Sequence, residues 1–312
     1  MKFNSFIACT MKRAAIIAAL VLLGLPAASA ESAKQAVQPE ISANSLVKRA
    51  VQKELDDNGS GVHMMYRLRK QTPERTETRE YLETSAGTVG RVIAINDQPL
   101  TPDQQEKEAQ RLQHFVSDPS AWRDRQKKQK EDADRVRKMV GALPDAFNYT
   151  YDGTEVGPNG EQVARLTFKP NPNFDPPTRE LRVYTGMEGR MWIDTAAERL
   201  VRLDAHLVSD VDFGWGILGK LNRGGSFEIQ QQRIAGDRWE TTRTVLNFDG
   251  KALMIKSIHI KETETLTDFR RIPDKLTLAE GVDMLQKYNP AQDTVAQELT
   301  NKQPRGGSSQ QR

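Results

Sequence analysis

The chain has 312 residues, 37% of them hydrophobic and 28% charged, with a formal net charge of +3 and one cysteine. That length allows one large domain or two small ones, a lone cysteine excludes an internal disulfide, and a near-neutral balance lacks the basic footprint that nucleic-acid binding requires.

Residues 1–30 hold Lys2, Lys12 and Arg13 and no acid, then an apolar run from Ala14 to Leu25 and the small-residue site Ala28-Ser29-Ala30. This is the pattern of a secretory signal cleaved after Ala30, so the chain is expected in the periplasm. Cleavage would leave 42 basic and 42 acidic residues. Cys9 precedes the apolar run, so it is not a lipid-carrying cysteine and leaves with the signal. The run is shorter than the roughly 20 residues a bilayer span needs, which predicts at most peripheral membrane contact.

Residues 31–44 are polar and expected to be flexible. Leu46, Val47, Ala50, Val51 and Leu55 then recur at helical spacing after Ser45 and stop before the turn-forming Asp56-Asp57-Asn58-Gly59. Strands are predicted over 62–69, 79–84 and 89–95. A helical insertion follows over 101–142. Thr101, Pro102 and Gln104 make a capping box, Asp118-Pro119 repeats the start signal, and Gly141 is the expected stop. The second of these helices carries Arg123, Arg125, Lys127, Lys128 and Lys130 interleaved with Asp124, Glu131, Asp132 and Asp134, the composition of a solvated face.

A strand pair is predicted over 147–155 and 162–169. Four prolines between Pro170 and Pro177 then exclude helix and central strand. From Gly189 to Phe269 the pattern is an antiparallel meander of five strands. In its second strand Val201, Leu203, Ala205 and Leu207 alternate with Arg202, Asp204 and His206. Turns are expected at 194–197, at Ala235-Gly236-Asp237-Arg238 and at Phe248-Asp249-Gly250-Lys251. Residues 277–288 could close the domain as a helix, giving a domain over 45–289 and a disordered tail over 290–312.

Gly214-Trp215-Gly216-Ile217-Leu218-Gly219 matches G-x-G-x-x-G literally, but neither a preceding buried strand nor a following helix is expected, so it reads as an apolar loop. His63, His114, His206 and His259 lack the spacing of a helical metal motif. No nucleophile elbow is present. Glu262 and Glu264 share one strand face and read as surface charge rather than an acid pair. No enzyme, metal or cofactor is predicted.

The order of elements, with the run Gly189-Arg190-Met191-Trp192-Ile193-Asp194-Thr195 and Leu200-Val201-Arg202 after it, resembles the periplasmic lipoprotein-carrier superfamily over roughly Ser45 to Phe269. The resemblance implies an α+β fold: a curved antiparallel sheet, or half-barrel, with helices packed over its concave face. It implies an apolar ligand in that concavity, a lipid, an acyl chain or a lipoprotein. Trp192, Val201, Leu203, Phe213, Trp215, Ile217 and Leu218 are the candidate cavity or cover residues, with the insertion and the 213–218 loop acting as a lid. The alternative is an interaction or sensing module for envelope proteins on the same fold.

Overall fold

The computed structural model describes residues 42–56, 61–213, 219–252 and 256–288. The expected signal, the polar tail, and Trp215, Ile217 and Leu218 lie outside these residues.

The fold is α+β: a curved, open antiparallel sheet of 13 strands with helices packed on it. Helix α1 (Ala43–Asp56) leads into β1 (Met64–Gln71), β2 (Thr76–Thr84), β3 (Gly87–Ile95) and the short β4 (Gln98–Pro99). Helices α2 (Pro102–Ser117) and α3 (Pro119–Ala146) follow, then β5 (Phe147–Val156) and β6 (Gln162–Pro170). A 3₁₀ helix at Glu180–Gly186 precedes β7 (Met187–Asp194), β8 (Arg199–Leu207), β9 (Val211–Phe213) and β10 (Gly219–Leu221). Then come β11 (Ser226–Ala235), β12 (Arg238–Ala252), β13 (Lys256–Arg271) and α4 (Leu278–Lys287).

The strand order is β4-β3-β2-β1-β13-β12-β11-β8-β7-β6-β5, with β10 paired to β12 and β9. The first strand therefore pairs with the last, Leu68 opposite Leu266 and Lys70 opposite Glu264, which joins an N-terminal sheet to the meander along one seam.

Two helical groups cover opposite faces. The pleat puts Leu166, Met191, Leu203 and Leu207 on the face that meets Leu46, Val47 and Ala50 of α1. Register carries that face across Ile229, Thr244 and Glu264 to Lys70 and Leu68. Met65 and Leu82 point the other way, and Val282 and Leu285 of α4 pack there with Leu112 and Trp122.

Local signals explain the element ends. Thr101 and Gln104 form the capping box of α2, Asp118 caps α3 through the Ser120 and Ala121 amides, and Thr277 with Glu280 repeats the box at α4. Asp194 Oδ1 accepts from the Ala196 and Ala197 amides and sets the turn before β8. Gly236, with φ +53°, makes the tight β11–β12 hairpin.

Three expectations are corrected. The stretch from Gly189 to Phe269 holds seven strands, β7 to β13, rather than five, because the short β9 and β10 pair between β8 and β11. Helix α3 does not stop at Gly141. It continues through Pro144 to Ala146, where Tyr184 and Tyr149 hydroxyls donate to the Met139 and Leu143 carbonyls. Asp249-Gly250 is not a turn but the continuation of β12, paired with His259 and Ile258. Gly250 is needed there because a Cβ would stand 2.2 Å from the Lys220 carbonyl oxygen of the adjoining β10.

The outer edge of β3 is closed by side chains. The Gln129 carboxamide accepts from the Thr88 amide at 3.4 Å and donates to its carbonyl at 2.6 Å. Arg111 donates to the Gly90 carbonyl at 2.6 Å, and Glu108 accepts from the Val92 amide at 2.6 Å. These groups from α2 and α3 stand where a neighbouring strand's peptide groups would.

Candidate functional site

The α1 face changes character along its length. Over β5–β8 it is dry core beneath α1. Over β9–β13 the apolar side chains Phe213, Leu221, Phe227, Ile229, Leu246 and Ile260 are only half-buried, while still packed against that core. Register makes them one strip: Phe227 lies opposite Leu246, Ile229 opposite Thr244, and Phe248 opposite Ile260. The strands provide this because their alternate positions are apolar, and among the helices described α1 lies against β5, β7 and β8 while α4 lies against β2 and β3.

The strip ends at the β1–β13 seam in three charged side chains. Glu262 lies opposite Leu246 and Glu264 opposite Thr244, and both face Lys70 of β1. The Lys70 ammonium donates to Glu264 Oε1 at 3.0 Å and forms an ion pair with Glu262. Glu264 is 2% exposed and its Oε2 has no hydrogen-bond partner among the described residues. Burial drives the Glu264 carboxyl up to about 7, against the pull of Lys70 and with the help of Glu262. Burial alone would lower the Lys70 ammonium, but Glu264 and Glu262 outweigh it and hold it above its ordinary value. Glu262 and Glu264 are therefore not the surface charge expected from their spacing.

The candidate residues divide. Leu203 is buried in the α1-face core and Phe213 lies half-buried at the strip's end. Val201 is buried at a bulge between the Trp192–Arg202 and Ile193–Leu200 pairs. Trp192 points to the other face, where its indole donates to Glu155 at 2.7 Å and Arg202 stacks 5.1 Å from its ring centre. The structure thus does not bring Trp192 together with Leu203. Lys70 was not singled out, and Glu262 and Glu264 read as surface charge, because their defining feature is each other and Glu264 lies 194 residues from Lys70.

Other polar groups give less. A groove of about 420 Å³ on the opposite face is lined by Asp152, Arg165, Lys169, Glu188, Arg190 and His206, a mixture of both signs. The cations of α3 stand on an exposed flank, with Lys130 paired to Asp134 at 2.5 Å. Phe213 of β9 and Gly219 of β10 flank the glycine-rich run as paired strand ends, so the strand-then-helix context of a dinucleotide site is not met around it. Among the described residues no group of three or more His, Cys, Asp or Glu side chains is placed to hold a metal ion, and no helix is long and apolar enough to cross a membrane.

Fold and strip together define an open antiparallel α+β sheet whose apolar face is partly uncovered by the described residues. No protein-family model matches the chain, and no curated protein does. Among solved structures it is similar to the crystal structure of a DUF1329 family protein from Desulfovibrio piger, at 10% identity and a TM-score of 0.28 over 74% of this chain and 93% of that one. An overlap that loose carries no argument, and the function rests on the side chains.

Proposed function

We propose that this chain is an exported, non-enzymatic binding protein that holds an apolar or amphipathic ligand, a lipid, an acyl chain or a lipoprotein's lipid, against the strip on β9–β13. The observation that carries this reading is the half-buried row of Phe227, Ile229, Leu246 and Ile260, continuous with a packed core on one side and bounded by the Lys70–Glu262–Glu264 cluster on the other. Apolar surface left in contact with water over several adjoining strands is the signature of a binding face. The expected signal supports the periplasm as its place of work.

The test is native mass spectrometry of protein purified from its own envelope, paired with binding of an uncharged environment-sensitive apolar dye. A co-purifying lipid, and dye binding that lipid displaces and that Phe227→Asp abolishes, support the reading. Dye binding unaffected by Phe227→Asp would place the ligand elsewhere. A protein that binds no dye yet retains a protein partner would favour the interaction module.

A further inference from the structure

Two carboxylates and one ammonium make an incomplete set at the polar end of the strip. Lys70 reaches both Glu262 and Glu264, so one positive charge serves two negative ones, and the Glu264 side chain is 2% exposed. Among the described residues the deficit is not supplied from neighbouring elements. On β12 the residues facing the cluster are Thr244 and Leu246, which are uncharged. On β2, Glu77 lies opposite Lys70 but is taken up by Arg75 and Arg79. Beyond β12, Gln231 and Glu54 form a separate group with Arg199. An uncompensated charge at a buried site is costly, and the least disruptive remedy is a proton.

We propose that Glu262 and Glu264, bridged by Lys70, form a proton-binding site, and that its protonation favours occupation of the strip by uncharged apolar ligands. The second half of this inference rests on the binding role proposed above. In the protonated state Glu264 donates its O–H to the Glu262 carboxylate while Lys70 bridges both, and the cluster is neutral. Loss of that proton to water leaves a net negative charge beside Leu246 and Ile260. The Lys70 side chain is 21% exposed and that of Glu262 12%, so the proton has a route to solvent that Glu264 alone lacks. With Glu262 beside it, the buried Glu264 carboxyl holds its proton more tightly than a solvated glutamate does.

The experiment follows the carboxyl ¹³C signals of glutamate-labelled protein through a pH titration and measures affinity for an uncharged apolar dye at roughly pH 5.5 and roughly pH 8.5. One glutamate should titrate near neutrality and vanish from the titration in Glu264→Gln, and dye affinity should fall several-fold at the higher pH in the unsubstituted protein only. Lys70→Met, which removes the bridge, should move the same titration to still higher pH. Titration of every glutamate in the ordinary acidic range, or a near-neutral signal that survives Glu264→Gln, overturns the proton site. Equal dye affinity at both pH values overturns the coupling. A near-neutral Glu264 in a protein that binds no dye at either pH upholds the proton site and refutes the binding role.

Discussion

Arg238 and Glu83 meet as a buried two-pronged pair, with guanidinium nitrogens 2.7 and 2.9 Å from the two carboxylate oxygens, although 155 residues separate them. Glu83 also accepts from the Met64 amide, and Arg238 donates to the Val62 carbonyl and to Glu240. The pair thus ties the β11–β12 hairpin to the start of the N-terminal sheet.

Arg238→Ala leaves a buried carboxylate without its cation and should cost roughly 3–5 kcal/mol. Urea denaturation measures this. Replacing both partners by Met and Leu should recover much of the loss, because the penalty comes from the unpaired charge rather than from the absent attraction. Equal losses in the single and double variants would show that shape, not charge, holds the junction.

The pH dependence of stability follows from Glu264. Its folded-state value of about 7 stands above the ordinary 4.5, so the folded chain binds this proton more tightly than the unfolded chain. The contribution is complete below the unfolded value and is lost as pH rises from about 4.5 toward about 7. Thermal melts should show Glu264→Gln closing the gap to the unsubstituted protein at low pH and exceeding it above neutrality. Parallel curves for the two proteins over that window would contradict the assignment.

Gly250→Ala should destabilise by roughly 1–3 kcal/mol, because the new methyl group meets the Lys220 carbonyl and must push β10 from β12. Gly225→Ala, whose new methyl group would stand nearest the Phe248 ring rather than a backbone carbonyl, tests the same crowding against a side chain. A melting temperature unchanged by Gly250→Ala would mean that β10 does not seat as described.

This glycine also marks the limit of what the chain discloses before it folds. The capping boxes at Thr101 and Thr277, the helix carrying Leu46 and Val51, and the alternation of Leu203, Ala205 and Leu207 depend on neighbours a few residues away, and all are readable. Asp249-Gly250 has turn chemistry, but its glycine answers to a strand 30 residues earlier. Glu262 and Glu264 look like surface charge until β1 pairs with β13 and delivers Lys70. Trp192 belongs to an apolar-looking run, yet its parity sends it to the opposite face with Arg202. Whatever was set by sequence-distant pairing stayed hidden.

Glu108→Ala removes the acceptor of the Val92 amide and the partner of Arg111. An unsatisfied buried donor costs about 1–3 kcal/mol. Hydrogen exchange should quicken at Val92 and Gly90 while the β6–β8 amides keep their protection. Uniform acceleration across the sheet would show instead that α2 is part of the global folding unit.

The two rims of the sheet differ in valence. At one, beyond the two-residue β4, Gln129, Arg111 and Glu108 occupy the hydrogen-bonding positions of Thr88, Gly90 and Val92, so a strand could join residues 88–92 only by first displacing a helix. At the other, β5 ends the strand order, and no described strand borders it beyond β6. A unit with two receptive rims can propagate into a filament, whereas a unit with one is a chain terminator. Of these two rims, β5 can therefore meet a second β5, but not the helix-covered stretch of β3 in another copy.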